Sequence, residues 1–366
     1  MKKVLIDSTT LDYAALFKKE MMYKKKFHGY EFKALRLIDE EIRSIEGNYE
    51  EGNREKVKEY LTLLKENYTK ILTIKPDDMI PCIRKFEDII PRESLKNTIK
   101  QVRNGIPFHK VIIEILGYNT NVNCKLSVRN IFKSIGLRTC FYCNAQYAIK
   151  YGAKATYQID HFFPSSLFPY LSTSFFNFVP SCSSCNKNKT DKLIDEESES
   201  LANHLQWGLW WSNEKSYDDT DTSEIEKSLD EITGIVPPNN VSFLINITPD
   251  GVKEYVERKK EINDISIEPS GGGGNFDSYD SIFHLRSLYN ELKDGVQEII
   301  WKSYAYSDSF VESNYKCLED KIGGPDNLKR FILGIYPGDN DIHKRPLTKL
   351  LQDVARQLGL LKDYDR

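Results

Sequence analysis

Four of the seven cysteines in this 366-residue chain form two Cys-x-x-Cys pairs, a spacing that is typical of metal sites. The first pair is Cys140 and Cys143, and the second pair is Cys182 and Cys185. A two-residue gap lets both thiolates of a pair bind one ion, so two pairs supply the four sulfurs of a tetrahedral zinc site. The alternative, two disulfides, requires an oxidising compartment, and we do not expect one because no apolar signal core follows Met1. We therefore predict a structural Zn²⁺ that is saturated by sulfur and leaves no open position for catalysis.

A second group of chemically capable residues lies between the pairs and directly after them. Asp160 and His161 are adjacent at the end of an alternating, strand-like run, Asn177 follows, and Asn186 comes directly after the second pair. An isolated Asp-His pair is more often an ordinary strand end than an active site, but here two cysteine pairs bracket it. In order and spacing these residues resemble the motif of the HNH endonuclease family, and the similarity covers residues 138–192.

The resemblance implies a fold and an activity. Family members fold as two strands and a helix around one metal ion, and their cleavage leaves a 5′-phosphate and a 3′-hydroxyl. In the family pattern the residue at the position of Asn177 holds the loop that aims the histidine, and we expect the same role here. Some members have a histidine where this chain has Asn186, and asparagine is also found there.

The same residues suit phosphodiester hydrolysis on chemical grounds. The reaction needs an activated water and a cation that stabilises the charge growing on the phosphoryl and leaving oxygens. His161 is the one imidazole in residues 138–192, so we expect it to be the general base. Asp160 and Asn186 each offer a hard oxygen, and two protein oxygens completed by water and phosphate suit Mg²⁺ or Mn²⁺ better than zinc.

Three lysines follow Asn186 on the expected helix. Lys187, Lys189 and Lys192 are candidates for binding the scissile phosphate or a neighbouring one. The alternative for each of them is a solvated basic face of the helix.

The charge of the chain is unevenly distributed. The formal net charge is −3, yet residues 96–192 hold 13 Lys and Arg against three Asp and Glu, while residues 193–366 hold 19 against 33. A positive central segment would attract a polyanion despite the acidic total. The acidic segment could neutralise this potential by folding back, or it could mask the site as an internal inhibitor until the substrate displaces it.

We predict an α+β protein that is mostly helical, with an embedded ββα-metal HNH module braced by the four-cysteine zinc site. The expected divisions are an N-terminal helical region at residues 1–137, the module at 138–192, and an acidic, mostly helical C-terminal region at 193–366. Hydrophobic residues at three- and four-residue steps predict the helices. The expected elements are helices in 11–72 with a break at 47–52, in 92–116, in 127–135 with Ser127 as N-cap and Gly136 as terminator, in 282–299 and in 347–358, a strand at 241–247 and a flexible linker at 271–274.

These observations predict a metal-dependent endonuclease that acts on DNA. We expect it in the cytoplasm, since no segment is apolar enough to span a membrane. An endonuclease for RNA, such as tRNA, would use the same residues, and a non-catalytic zinc module that binds nucleic acid or a partner would be indifferent to Mg²⁺. Modules of this kind in long helical chains resemble bacterial phage-defence effectors, including nucleases paired with an ATPase in Septu-type or retron-linked systems. No Gly-x-x-x-x-Gly-Lys-Ser/Thr run occurs here, so nucleotide-driven control would come from an ATPase or sensor subunit. The helical flanks could also support a homo-oligomer.

Overall fold

The computed structural model describes residues 4–6, 8–25, 29–102, 105–118, 122–193, 211–213, 242–258, 261–270, 276–306, 321, 323 and 325–361. Within them the protein is mostly helical with small sheets, which confirms the predicted α+β class. None of the described helices is long and apolar enough to cross a bilayer. The expected linker at residues 271–274 lies outside the described residues.

The described helices run in chain order through all three regions. They are α1 (Ser8–Glu20), α2 (Lys33–Arg43), α3 (Ile45–Asn48), α4 (Glu51–Ile71), α5 (Pro76–Glu87), α6 (Phe108–Leu116), α7 (Val122–Ile135), α8 (Ser183–Lys189), α9 (Pro249–Val256), α10 (Phe276–Phe283), α11 (Leu285–Asn290), α12 (Asp294–Ala305), α13 (Pro325–Leu333) and α14 (Thr348–Gln357). The described strands are β1 (Val4–Ile6), β2 (Met22–Lys25), β3 (Gly29–Phe32), β4 (Ile99–Lys100), β5 (Ile106–Pro107), β6 (Lys150–Tyr151), β7 (Lys154–Ala155), β8 (Gln158–His161), β9 (Phe178–Ser181), β10 (Trp211–Asn213), β11 (Ser242–Ile245) and β12 (Ile267–Ser270).

The two strands and the helix of the predicted module are β8, β9 and α8. β8 and β9 pair in antiparallel fashion, with Asp160 opposite Val179 and His161 opposite Phe178. α8 begins directly after Cys182, whose backbone is extended and whose sulfur accepts a hydrogen bond from a backbone N–H in the first turn of the helix. The helix therefore starts where β9 ends, which brings its first residues to the end of the hairpin.

Aromatic side chains join the N-terminal helices to the segment between β8 and β9. Phe17 of α1 lies 5.6 Å from Phe175 and 6.0 Å from Phe178, measured between ring centroids. Tyr170 stacks on Phe86 of α5 at 4.0 Å. All five side chains are buried, so this segment is part of the hydrophobic core and has a fixed shape.

A buried ion pair fixes the C-terminal helix against the β11–β12 hairpin. Lys349 and Asp353 lie one turn apart on α14 and approach to 2.6 Å. Asp353 also accepts a hydrogen bond from the backbone N–H of Phe243 in β11, at 2.9 Å. The carboxylate is thus satisfied by a cation and by a backbone donor, as burial of a charge requires.

The expected helical stretch at 11–72 is interrupted by a hairpin. β2 and β3 pair with Met22 opposite Phe32 and Tyr23 opposite Glu31. In β3 two aromatic residues, Tyr30 and Phe32, alternate with Glu31, and aromatic residues favour strands, so this segment forms a hairpin and not the predicted helix. The expected break at 47–52 is confirmed, since α3 ends at Asn48 and α4 begins at Glu51.

Two other helix predictions were partly wrong. Among the described residues of 92–116 only α6 is an α-helix, because Gly105 takes a left-handed conformation (φ +71°) and Pro107 precedes the helix; residues 92–96 form a short 3-10 turn. α7 begins at Val122, so Ser127 is a buried residue inside the helix and not its N-cap, while Gly136 (φ +85°) ends it as predicted.

The apolar stretch at 282–299 forms three helices, α10, α11 and α12, and not one. His284 separates the first two with a left-handed backbone (φ +52°), a conformation that interrupts a helix. Hydrophobic spacing does not reveal such a kink, because the apolar residues keep their approximate period across it. The strand at 241–247 and the helix at 347–358 are found as β11 and α14.

Candidate active site and metal centre

The four predicted zinc ligands lie together. The sulfurs of Cys140, Cys143, Cys182 and Cys185 are all within 4.8 Å of one another, and all four residues are buried. A tetrahedral ion with Zn–S bonds of about 2.3 Å places its sulfurs about 3.8 Å apart, so the cluster has the size that zinc requires. Among the described residues this is the one group of three or more His, Cys, Asp or Glu that could hold a metal ion.

Two sulfurs of the cluster accept hydrogen bonds from the backbone. Backbone N–H groups of Cys185 and Ala145 donate to the sulfurs of Cys182 and Cys143, each at 3.5 Å. The four thiols share their protons through mutual hydrogen bonds, which lower the pKa of Cys182 and raise the pKa of Cys143 and of Cys185. Thiolates are the form that binds zinc, and four converging sulfurs are a donor set that fits Zn²⁺.

The C-terminal region holds the first cysteine pair in place. The hydroxyl of Tyr279 donates to the backbone carbonyl of Tyr142 at 2.8 Å, and the hydroxyl of Tyr289 donates to the carbonyl of Cys143 at 2.6 Å. Asn144 donates to the carbonyl of Ile342 at 3.0 Å. The expected boundary after residue 192 separates segments that are in direct contact through these bonds.

Asp160 is a buried carboxylate with two partners on one oxygen. Its Oδ2 accepts a hydrogen bond from the hydroxyl of Tyr142 at 2.6 Å and lies 3.4 Å from the ammonium of Lys189. Burial and the neighbouring charge of Asp160 raise the pKa of Tyr142 well above its usual value, so the phenol stays protonated and donates. No donor reaches Oδ1 among the described residues, which leaves this oxygen as a ligand for a cation.

His161 is held in one tautomer. Its Nε2 lies 2.8 Å from the backbone carbonyl of Ser172. A carbonyl can only accept, so Nε2 carries the proton and Nδ1 keeps its lone pair. Burial lowers the pKa of His161 to about 4, with the hydrogen bond that the ring donates to the carbonyl of Ser172 and the charge of Asp160 acting in the opposite direction. The imidazole is therefore neutral near pH 7, which is the form a general base needs.

Asn177 closes the loop that carries the partner of His161. It is fully buried; its Oδ1 accepts from the N–H of Phe163 at 2.7 Å, and its Nδ2 donates to the carbonyls of Phe163 and Leu171, both at 3.1 Å. These three bonds span residues 163–171 and end beside Ser172, whose carbonyl binds His161. Asn177 therefore connects the two ends of the loop at residues 163–171.

Asn186 lies in the first turn of α8, beside the strand that carries Asp160. Its Nδ2 donates to the side chain of Gln158 in β8, so its amide oxygen faces no donor among the described residues. Asp160 and Asn186 thus each present one free hard oxygen, and this donor chemistry fits Mg²⁺ or Mn²⁺.

The three lysines after Asn186 do not share one environment. Lys187 and Lys192 are exposed, whereas Lys189 is fully buried and faces the module interior. The ammonium of Lys189 donates to the backbone carbonyl of His161 at 2.8 Å and pairs with Asp160. The prediction that Lys189 is accessible to a substrate phosphate was therefore wrong. α8 packs this face against β8, and the buried side chain holds Asp160 and the backbone of His161.

Two tyrosines at the site were missed by the sequence interpretation. Tyr142 lies inside the first cysteine pair and binds Asp160. Tyr118 lies outside the motif, and its ring meets the imidazole of His161 edge to face at 4.4 Å. Tyr142 could have been suspected from its position between two zinc ligands, but no local pattern marks Tyr118.

Comparisons with known proteins address the module. Residues 140–193 match a family model described as HNH endonuclease. No curated protein and no solved structure gives a significant match to the chain. The matched residues include both cysteine pairs, Asp160, His161, Asn177 and Asn186, so the resemblance predicted from the motif is confirmed. Residues 140–193 of this chain are thus similar to the HNH endonuclease family, and this match suggests a hydrolase that acts on nucleic acid.

Proposed function

We propose that this module is a metal-dependent endonuclease that hydrolyses phosphodiester bonds of DNA. One observation carries the proposal: the carbonyl of Ser172 fixes the tautomer of His161, directly beside a carboxylate with a free oxygen. A neutral imidazole with an available Nδ1 is suited to take a proton from water, and Asp160 adjoins it in β8.

The proposed roles follow from the contacts of each residue. His161 accepts the proton of the attacking water at Nδ1, and Asn177 keeps the loop of Ser172 in place so that the ring does not turn. Lys189 holds Asp160 and the backbone of His161 in register. Asp160 and Asn186 would hold Mg²⁺ or Mn²⁺, which supplies positive charge for the developing charge on phosphate. The products expected from the family resemblance are a 5′-phosphate and a 3′-hydroxyl.

The zinc ion is proposed to be structural. Four buried sulfurs saturate a tetrahedral ion and leave no position for water. Cys182 and Cys185 flank the start of α8, so the ion would fix the helix that carries Asn186 and Lys189. Lys187 and Lys192 remain the proposed phosphate contacts within the module, since both are exposed.

The first experiment compares substrates. Zinc-loaded full-length protein is incubated with supercoiled plasmid and with total RNA, in buffer with Mg²⁺ and in buffer from which Mg²⁺ has been omitted; omission is preferred to EDTA, which also competes for zinc. Mg²⁺-dependent nicking or linearisation of plasmid supports the proposal. Degradation of RNA alone would keep the site and overturn the assignment of DNA as the substrate.

A non-catalytic module is distinguished by one variant. His161→Ala removes the base and leaves the four cysteines and the exposed lysines in place. If the protein only binds nucleic acid, wild type and His161→Ala bind equally and neither cleaves with or without Mg²⁺. The proposal predicts equal binding but loss of cleavage in the variant.

The wider role is proposed from the family resemblance and the helical architecture alone. We propose a bacterial defence nuclease whose activity is controlled by an ATPase or sensor subunit, or by a homo-oligomer. Co-purification of the chain with a nucleotide-binding subunit, and a rise in cleavage when that subunit is added, would support it. Full activity of the isolated chain would count against control by a partner.

A further inference from the structure

Two cations on α7 lie near the candidate active site without a carboxylate partner. Lys125 and Arg129 are one helical turn apart, precede residues 140–193, and belong to the basic segment recognised in the sequence. Neither forms an ion pair within the part of the chain that the structure describes. Residues at this spacing lie on one face of a helix, with Cβ atoms about 5–6 Å apart.

The few acidic residues of the same segment do not neutralise them. Asp160 pairs with Lys189, and Asp191 pairs with Lys96 at 3.1 Å. The third, Glu114, is an exposed residue of α6. The positive charge of α7 therefore remains available to an external anion.

Lys125 is linked to the catalytic histidine through one aromatic ring. Its ammonium lies 4.7 Å from the centroid of the Tyr118 ring, and that ring meets the imidazole of His161 at 4.4 Å. Tyr118 thus acts as a spacer that holds the ammonium close to the base. The side chain of Lys125 is partly exposed, so its charge can reach a ligand.

Arg129 has one enclosed donor that lacks an acceptor. Its Nε is enclosed and has no hydrogen-bond partner, and the buried hydroxyl of Tyr157 is likewise unpartnered. Burial raises the pKa of Tyr118 and of Tyr157, and the charge of Arg129 acts against that rise at both hydroxyls. An enclosed donor without an acceptor is rare and costly. The side chain is partly exposed, and phosphate is the anion whose oxygens best match its planar guanidinium.

We propose that Lys125 and Arg129 form a phosphate clamp on α7, which binds the nucleic-acid backbone beside His161. The substrate site then extends beyond residues 140–193, and the N-terminal region contributes part of it. This inference rests on the proposed nuclease function, because it assigns the substrate contacts of the same site.

The test is equilibrium binding as a function of salt. A fluorescein-labelled DNA duplex is titrated with zinc-loaded, full-length His161→Ala protein, which prevents cleavage, and the fluorescence anisotropy is followed from low to high NaCl. The same titration is repeated with His161→Ala proteins that also carry Lys125→Gln, Arg129→Gln, or both substitutions. Lys58→Gln is the matched control, since it removes one exposed charge from α4. Thermal melting and zinc content establish that each protein is folded.

Each phosphate contact contributes about 0.9 to the slope of log K against log salt. We expect Lys125→Gln and Arg129→Gln each to reduce the magnitude of this negative slope by about one, and the double variant to reduce it by about two. Lys58→Gln should leave the slope unchanged. Unchanged slopes in a background that binds DNA overturn the clamp and leave the nuclease proposal intact. Both the clamp and the nuclease proposal are overturned if the His161→Ala protein binds neither DNA nor RNA and the wild-type protein cleaves neither. If Arg129→Gln does not fold, the slope of the Lys125→Gln variant alone decides the outcome, since Lys125 is partly exposed.

Discussion

Replacing Asn177 by alanine tests the link between the buried loop and the candidate base. The side chain is fully buried and makes three hydrogen bonds, one accepted from Phe163 and two donated to the carbonyls of Phe163 and Leu171. Each such bond contributes about 0.5–1.5 kcal/mol net, and the alanine variant leaves the buried partner groups of Phe163 and Leu171 without this side chain. We therefore expect Asn177→Ala to lower the free energy of unfolding by about 3 kcal/mol.

Hydrogen–deuterium exchange shows whether the loss is local. Peptides covering residues 163–171 should exchange faster in Asn177→Ala, and DNA cleavage should fall because the carbonyl of Ser172 no longer fixes the imidazole of His161. Asn290→Ala is the matched control, since Asn290 also accepts one backbone hydrogen bond, from Ile267, and donates two, to the carbonyls of Ile267 and Arg286, far from this loop in sequence. Its variant should leave exchange at 163–171 unchanged. A loss below about 0.5 kcal/mol, with unaltered exchange in the loop, would refute the reasoning.

Three further predictions concern stability. Lys189→Met leaves the buried carboxylate of Asp160 without its cation and should lower the free energy of unfolding, measured by urea denaturation, by about 3–5 kcal/mol. Lys187 is exposed, so Lys187→Met should change this free energy by less than about 0.5 kcal/mol. Metal analysis should find one zinc per chain, and Cys182→Ser should lose it together with the melting transition of the module; a variant that retains both would exclude the four-sulfur site. Burial lowers the pKa of His109, so the folded state binds fewer protons than the unfolded state and stability falls as the pH drops below about 6.5. His109→Gln should therefore lose less thermal stability than wild type between pH 7 and pH 5, and an equal loss would contradict this assignment.

Local spacing predicted the parts of the site that are close in sequence. Two cysteine pairs at fixed gaps imply one metal cluster, because each gap lets two thiolates bind the same ion. The four sulfurs are found together. The alternating run before Asp160 and the residues after Cys182 predicted β8 and α8 for the same reason. In each case the signal lies within a few residues and does not depend on the rest of the fold.

Long-range contacts were beyond the reach of the sequence. Tyr279 and Tyr289 bind the backbone of the first cysteine pair, yet nothing in their local pattern indicates a target more than a hundred residues away. Lys189 looked like its exposed neighbour Lys187, because α8 has only two turns and its buried face is decided by β8. Burial of a lysine is rare and becomes favourable only where a carboxylate and a carbonyl meet it, as they do here.

His161 is the proposed base of a metal-dependent nuclease. The most direct measurement is the single-turnover cleavage rate of plasmid DNA with saturating Mg²⁺ for wild type, His161→Asn and His284→Asn, each with its zinc content determined. His284 is an exposed histidine with a left-handed backbone that asparagine tolerates, so its variant controls for the substitution itself. We predict a fall of about 10²–10⁴-fold for His161→Asn and the wild-type rate for His284→Asn. Cleavage by zinc-loaded His161→Asn at the wild-type rate would contradict the account.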